Sequence, residues 1–146
     1  MNLFKREHIR NAREIVQGGH IAWYVGRPSP LGNPYRMEKE SQRDEVIRKH
    51  KEHMQLRLEE AAYGMQDKTI EELHQLIKLF YTLGSCSCKP VEKNIYLLCW
   101  CPLDKKCHCD ILCAILNSEE AREFILEIVA VHSESYWKWL TKNETV

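Results

Sequence analysis

One short stretch of the chain carries thiols and an imidazole at spacings that suit metal ligation. Cys99 and Cys101 alternate along the end of an apolar run that predicts a strand, so both side chains share one face. Cys107 and His108 follow across a short polar loop, where an amphipathic helix begins. Zinc binds sulfur and nitrogen ligands tetrahedrally. These four residues are therefore the predicted metal ligands, with zinc as the cofactor, although no Cys-x-x-Cys knuckle is present.

Plain burial explains the cysteines equally well. Free cysteine behaves as a small apolar residue, so Cys99, Cys101 and Cys113 can line a core strand and helix without any ligand. The chain has seven cysteines, an odd number. Because the N-terminus also lacks the apolar core of a signal peptide, a disulfide framework is not expected.

The start of the helix also offers groups for catalysis. A thiol at a helix N-terminus lies in the positive field of the helix dipole, which lowers its pKa and favours the nucleophilic thiolate. An imidazole acts as an acid or a base near neutral pH. The predicted catalytic residues are Cys107, His108 and Asp110. Asp110 either orients His108 or stabilises the first helical turn.

The second stretch with functional potential is the loop 26–35, which contains three prolines and two glycines. Proline fixes φ, so this loop is rigid and displays its side chains in a fixed arrangement. Arg27 suits a phosphate or a carboxylate because its guanidinium is a planar fork of donors. A structural salt bridge is the alternative for Arg27, and Asn33 either reads a base edge or caps its own turn. The predicted ligand-binding residues are Arg27, Leu31, Gly32, Asn33, Pro34 and Arg43.

Arg43 stands at the start of a predicted helix, where the helix dipole disfavours a cation. An anionic ligand or a carboxylate partner explains that position. The aromatic residues Trp23, Tyr24 and Tyr35 flank the loop and can stack on a base, although core packing is their more usual role.

Two β-rich runs, 20–25 and 94–100, predict buried strands that lead into these two stretches. Apolar residues at helical spacing predict helices over 41–62, from Thr69, after Cys107 and from Ser118. Residues 3–17 fit either a helix or a short strand and turn. The pattern predicts an α/β fold, a small Rossmann-like sheet flanked by helices, with a helical insertion between the two clearest strands. Because few strands are evident, α+β is the alternative.

The length and composition of the chain predict a single domain over residues 1–146, with helices at 118–141 docked on its core. Basic and acidic side chains number 21 each, so the net charge is zero. That balance argues against nucleic-acid binding through bulk charge. No apolar run of about 18 residues is present, so a cytoplasmic protein without membrane contact is expected.

The two stretches together resemble a known family. Residues 24–35, Tyr-Val-Gly-Arg-Pro-Ser-Pro-Leu-Gly-Asn-Pro-Tyr, are similar to the start of the domain of unknown function 4326 family, found in bacteria and their viruses. The helix-opening arginine of that family is matched by Arg43. Its Cys-x-Cys and Cys-His-Gly-Asp motifs are matched at 99–101 and 107–110. The resemblance covers about residues 20–117 and implies a site rather than a reaction.

The chain departs from that family pattern at its cysteines. Cys109 stands where the family has glycine, which adds a thiol and restricts the backbone. The loop between the second and third motif cysteines is slightly longer, and Cys86 and Cys88 have no counterpart.

The leading hypothesis is a domain that binds a nucleotide-like or nucleic-acid-derived anionic ligand between the 27–34 loop and the Cys107-His108 helix start. Group transfer or glycosidic-bond hydrolysis is the chemistry expected if the protein is an enzyme, a point that the sequence leaves open. The alternative is a non-catalytic, zinc-stabilised module that engages a host protein or sequesters a host defence nucleotide, as a phage protein would. No phosphate-loop, Ser-His-Asp or His-Glu-x-x-His motif is present.

Overall fold

A three-stranded parallel sheet forms the centre of the fold. This computed structural model describes residues 4–65, 67–84 and 93–144. The strands are β1 (Phe4–His8), β2 (Ile21–Tyr24) and β3 (Ile95–Cys99), in the order β1-β3-β2. Phe4 and Ile21 both pair with Ile95 of the central strand. Because all three strands run the same way, their carboxyl ends lie at one edge of the sheet, where ligands bind in many α/β folds.

The described part of the chain also forms five α-helices: α1 (Ala12–Gln17), α2 (Arg43–Ala62), α3 (Lys68–Gly84), α4 (His108–Asn117) and α5 (Glu119–Glu144). Helices α2 and α3 form the predicted insertion between β2 and β3. This architecture confirms the α/β fold class, while the Rossmann-like relationship stays a prediction. None of these helices combines the length and the hydropathy that a membrane crossing needs.

The core lies between the sheet and the helices. Leu97 in the central strand is fully buried. Helix α3 buries Ile70, Leu73 and Ile77, a spacing of three and four residues that places them on one helical face. Helix α2 contributes Met54 to the same apolar cluster. These buried faces hold α2 and α3 in fixed positions, and so they fix the loop that connects β2 to α2.

The N-terminal segment combines the two structures that its sequence fits. Residues 4–11 form β1 and a 3-10 turn (Ile9–Asn11), whereas Ala12–Gln17 form the helix α1. The side chain of Asn117 holds the start of β1. Its oxygen accepts the Phe4 N–H at 2.8 Å, and its amide donates to the Phe4 carbonyl at 2.9 Å.

The C-terminal helix α5 begins where the sequence predicts. The Ser118 hydroxyl accepts the N–H of Ala121 at 3.2 Å and caps the first turn. Ile125 and Ile128 of this helix are buried in the core. Cys86 and Cys88, which have no counterpart in the family pattern, lie outside the described residues, as do the side chains of α5 from position 133 onwards.

Candidate functional site

The two loops that the sequence singles out line one cavity at the carboxyl edge of the sheet. The cavity has a volume of about 230 Å³. The first loop, residues 26–35, follows β2 and is called the arginine loop here. The second connects β3 to α4, and the start of α2 completes the wall. The lining residues include Arg27, Asn33, Arg43, Trp100, Lys106 and His108.

Internal hydrogen bonds fold the arginine loop tightly. The N–H of Ser29 donates to the Gly26 carbonyl, and the N–H of Gly32 donates to the Ser29 carbonyl, both at 2.8 Å. A Cβ atom on Gly32 would lie 3.0 Å from the Ser29 carbonyl oxygen, so a side chain there requires the backbone to shift. Leu31 is fully buried and anchors the loop in the core.

Helix α3 holds the arginine loop from behind. The Glu72 carboxylate accepts the indole N–H of Trp23 at 2.8 Å and the hydroxyl of Ser29 at 3.1 Å. The Thr69 hydroxyl donates to the Pro30 carbonyl at 3.3 Å. Since several bonds tie the loop to a buried helix, its exposed side chains project from a fixed backbone.

The six predicted ligand-binding residues fall into two groups. Three line the cavity: Arg27, Asn33 and Arg43. The other three shape the loop and are not among the described lining residues: Leu31, Gly32 and Pro34. The amide of Asn33 is already engaged, because it donates to the Val46 carbonyl at 3.0 Å and accepts the Tyr35 N–H at 2.9 Å. Asn33 therefore caps its own turn.

The two cavity arginines differ in their pairing. Arg43 bonds the Glu40 carboxylate through Nε at 2.6 Å and Nη2 at 3.1 Å. Its Nη1 donates to the Lys106 carbonyl at 2.8 Å, so a carboxylate partner accounts for an arginine at the helix start. Arg27 is exposed, and among the described residues its guanidinium has no hydrogen bond or ion pair. Of the two arginines, Arg27 is therefore the one whose guanidinium is available to a ligand.

The four predicted metal ligands meet in the cavity wall, where they form the cysteine cluster (Cys99, Cys101, Cys107 and His108). The three sulfur atoms lie within 4.8 Å of one another. The Cys99 and Cys107 sulfurs are 3.2 Å apart, and Nδ1 of His108 is 3.4 Å from the Cys107 sulfur. Clustered thiols and an imidazole of this kind can hold a metal ion.

A backbone carbonyl orients the ring of His108. Its Nε2 lies 2.9 Å from the Val25 carbonyl oxygen. A carbonyl only accepts, so Nε2 carries the proton and the lone pair of Nδ1 faces the Cys107 sulfur. Metal-binding histidines have this arrangement, with one ring N–H on a backbone carbonyl and the other nitrogen directed to the metal. Val25 donates its own N–H to Leu98 of β3 at 2.9 Å, which ties the ring to the sheet.

Two guanidinium groups stand beside the cysteine cluster. Nη1 of Arg43 is 3.9 Å from the Cys101 sulfur. Arg6 of β1 interacts electrostatically with Cys107. Within the cluster, hydrogen bonds from Cys101 and Cys107 lower the pKa of Cys99. The same kind of contacts with Cys101, Cys109 and Cys99, together with burial, raise the pKa of Cys107, so the lowered pKa expected for a thiol at the helix start is not found there. Cys99 is therefore the thiol of the group that most favours the thiolate, the form that binds metals.

The Asp110 side chain helps to cap the start of α4. Its carboxylate accepts the Cys107 N–H at 3.0 Å and pairs with Nη1 of Arg6 at 3.0 Å. Both ring nitrogens of His108 have other neighbours. This geometry matches the second role considered for Asp110, which is to stabilise the first turn of α4.

The sequence profile described as Domain of unknown function (DUF4326) matches residues 8–118. That range contains the arginine loop and the whole cysteine cluster. The chain belongs to the DUF4326 family. The resemblance inferred from the two motifs is therefore confirmed, and the match extends back to the last residue of β1. No curated protein and no solved structure matches the chain.

This DUF4326 protein has a fourth thiol beside the cluster. Cys109 is fully buried, and its N–H donates to the Cys107 sulfur at 3.5 Å. Cys107, His108 and Cys109 form a second group whose ligand atoms lie within 4.8 Å of one another. Cys113 belongs to neither group, and burial raises the pKa of its thiol to about 12. Burial in the core therefore accounts for Cys113, whereas Cys109 is part of the site.

The sequence pattern predicts no role for Trp100 or Arg6, although both lie at the site of this DUF4326 protein. Trp100 lines the cavity and is 68 % exposed. The available signal was its place between the two cysteines of the Cys-x-Cys motif, directly after the apolar run. Arg6 gave no signal, because its partner Asp110 is 104 residues away in the sequence.

His50 of α2 is a buried group that the cluster does not use. Its ring is fully buried and stands edge-on to His108, with centroids 5.4 Å apart. Neither ring nitrogen has a partner at hydrogen-bond distance and angle among the described residues, and a weaker interaction with the Leu31 backbone raises its pKa against the effect of burial. Burial, together with the nearby His108, lowers the pKa of His50 to about 4, so the ring is neutral at pH 7.

Replacing His50 with leucine is expected to leave the free energy of unfolding unchanged or to raise it by about 1 kcal/mol. The reason is that the substitution removes an unsatisfied polar ring from the core. Urea unfolding followed by circular dichroism measures the change. Met54→Ala, one helical turn further along α2, is the matched control and should lose about 2–5 kcal/mol. A comparable loss for His50→Leu would contradict the prediction.

Proposed function

We propose that this DUF4326 domain binds a small, nucleotide-like anionic ligand in the cavity between the arginine loop and the start of α4. The observation that carries the proposal is the charge of the cavity wall. Arg27, Arg43 and Lys106 line it, and no described lining residue carries a carboxylate. The chain as a whole has zero net charge. A concave wall that carries basic side chains and no carboxylate attracts anionic ligands.

Arg27 is the main anion contact in this proposal. Arg43 is bonded to Glu40, and the Lys106 ammonium lies 3.3 Å from the Asp44 carboxylate. Those two cations add to the local potential, whereas Arg27 keeps its donors available. A guanidinium offers two parallel N–H donors, which fit two oxygens of one phosphate.

The contacts of the candidate catalytic groups favour binding over turnover. The Cys107 sulfur is shared with Cys99 and His108, and the His108 ring is bonded on both sides. The Asp110 carboxylate is held by Arg6 and by the helix start, and Asp110 is not among the described residues that line the cavity. Group transfer or glycosidic-bond hydrolysis requires at least one of these groups to be available to a substrate.

Calorimetric titration of the purified domain with nucleotides, cyclic nucleotides, short oligonucleotides and sugar phosphates tests the proposal. At least one phosphorylated compound is expected to bind with one-to-one stoichiometry and with an affinity that falls as salt is added. The matching unphosphorylated nucleoside is the control and should bind much more weakly. Recovery of the ligand unchanged supports a binding module, whereas conversion to product identifies an enzyme. Failure of every phosphorylated compound to bind would refute the proposal.

We further propose that the cysteine cluster holds a structural zinc ion, with Cys99, Cys101, Cys107 and Nδ1 of His108 as ligands. Zn–S bonds of about 2.3 Å in a tetrahedral site place the sulfurs about 3.8 Å apart. The sulfurs of Cys99, Cys101 and Cys107 lie within 4.8 Å of one another, and His108 adjoins them through Cys107, whose sulfur is 3.4 Å from Nδ1; this placement supports that set. Three thiolates and a neutral imidazole around Zn²⁺ give a net charge of about −1. The guanidinium groups of Arg6 and Arg43 stand next to that charge while also pairing with Asp110 and Glu40.

Elemental analysis of protein purified without a metal-affinity column tests the zinc proposal. About one zinc per chain is expected, because a closed site of this type retains its metal through purification. Iron in place of zinc would overturn the identity of the metal while preserving the ligand set. Metal-free protein that is fully folded would support buried, unliganded thiols instead.

A further inference from the structure

Resting on the proposed function, we infer that the ligand is a single nucleotide whose base stacks on Trp100. The indole is 68 % exposed and lines the cavity, although tryptophan buries most of its surface in the average protein. It stands beside a wall that carries Arg27 and Lys106. An aromatic face next to a cationic surface is how many proteins hold the base and the phosphate of one nucleotide.

The neighbours of Trp100 fix the position of its ring. Cys99 and Cys101 flank it in the chain, and Cys99 is buried and paired with Cys107. The imidazole of His8 packs perpendicular to the indole, with centroids 6.0 Å apart and an angle of 88° between the ring planes. The backbone of Trp100 is thus held on both sides, and its ring is a preorganised platform that loses little entropy when a ligand binds.

The two proposed contacts reach the cavity from neighbouring strands. Trp100 directly follows the central strand β3 and packs on His8, the last residue of β1, whereas Arg27 follows β2. Both side chains line the same cavity. One bound molecule can therefore contact the aromatic face with one part and the guanidinium with another.

The size of the cavity favours a mononucleotide over a dinucleotide. Its volume of about 230 Å³ is below the range of about 300–1,000 Å³ that is usual for drug-sized ligands. Tyr35 is the other exposed aromatic residue in the lining, at 39 %. Its ring already contacts the Lys49 ammonium, 5.8 Å from the centroid, and the edge of His53. Trp100 is therefore the better platform.

The test compares two variants with two kinds of ligand. Trp100→Ala and Trp100→Phe are titrated with ribonucleoside 5′-monophosphates and with ribose 5-phosphate, which keeps the phosphate but lacks the base. Trp100→Ala should weaken nucleotide binding about 5- to 100-fold and leave ribose 5-phosphate binding unchanged. Trp100→Phe, which keeps an aromatic face, should retain most of the affinity. Nucleotide binding should also quench a component of the tryptophan fluorescence that both variants lack.

Each failure has a distinct signature. If the wild-type domain binds nucleotides no more tightly than ribose 5-phosphate, the protein does not recognise the base. That result would refute the Trp100 inference and leave the anion-binding proposal intact. The inference also falls if Trp100→Phe loses as much nucleotide affinity as Trp100→Ala. If the wild-type domain binds no phosphorylated compound at all, the proposed function fails with it. Melting temperatures and zinc contents of both variants show whether the neighbouring cysteines are undisturbed.

Discussion

The Cys107→Ser variant is expected to lose its zinc and to melt roughly 10 °C below the wild-type protein, a loss of about 3 kcal/mol or more. Cys107 belongs to both overlapping ligand groups, so its removal leaves neither group complete. Serine is a good helix N-cap and can take over the bond that the Cys107 sulfur accepts from the Cys109 N–H. The loss therefore reports on metal ligation rather than on the start of the helix. Elemental analysis and thermal melting measure it.

Cys113→Ser is the matched control for this substitution. Cys113 is partly buried, lies one helical turn into α4 and belongs to neither ligand group. The control should keep a full complement of zinc and lose only the small packing contribution of one sulfur. If Cys107→Ser keeps its metal, or if both variants destabilise the protein equally, the cluster is a set of buried thiols rather than a metal centre.

The Arg27→Ala variant is expected to bind the anionic ligand roughly ten- to a hundredfold more weakly while its melting temperature stays unchanged. A charge-assisted hydrogen bond typically contributes about 1.5–3 kcal/mol, which corresponds to that loss of affinity. Stability should be unaffected because Arg27 is exposed, and the described residues give its guanidinium no partner. Calorimetric titration beside thermal melting separates the two effects.

Two further variants sharpen the interpretation of Arg27. Arg27→Lys should restore little affinity, since an ammonium group cannot reproduce two parallel hydrogen bonds. Arg36→Ala removes an equal charge from an exposed arginine nearby that is not among the described lining residues, and it should leave binding unchanged. If Arg27→Ala melts much earlier and its folded fraction still binds at full affinity, Arg27 has a structural role and does not contact the ligand.

The sequence by itself determined the elements of this fold that depend on local patterns. The apolar runs at 20–25 and 94–100 predicted β2 and β3, and the helical spacing of Ile70, Leu73 and Ile77 predicted the buried face of α3. The strand β1 was ambiguous, because only Phe4 of its five residues is buried. An edge strand with one buried residue carries too little alternation to be told from a helix.

The sequence also determined which groups form the cysteine cluster. Cys99 ends β3, Cys101 lies two residues beyond it, and a short loop returns Cys107 and His108 to the same point. All four groups lie within one local strand-loop-helix unit. Their proximity therefore follows from short-range geometry, without knowledge of how the rest of the chain is arranged.

Only the tertiary structure decided what surrounds that cluster. It brought the Val25 carbonyl to the His108 ring across 83 residues and Arg6 to Asp110 across 104 residues. It also placed the arginine loop and Trp100 around one cavity, because β3 pairs with both β1 and β2 and the carboxyl ends of all three strands share an edge. Such pairings depend on the order of strands in the sheet, which is set by packing between distant segments. No local periodicity encodes that order, and so the composition of the site became visible only in three dimensions.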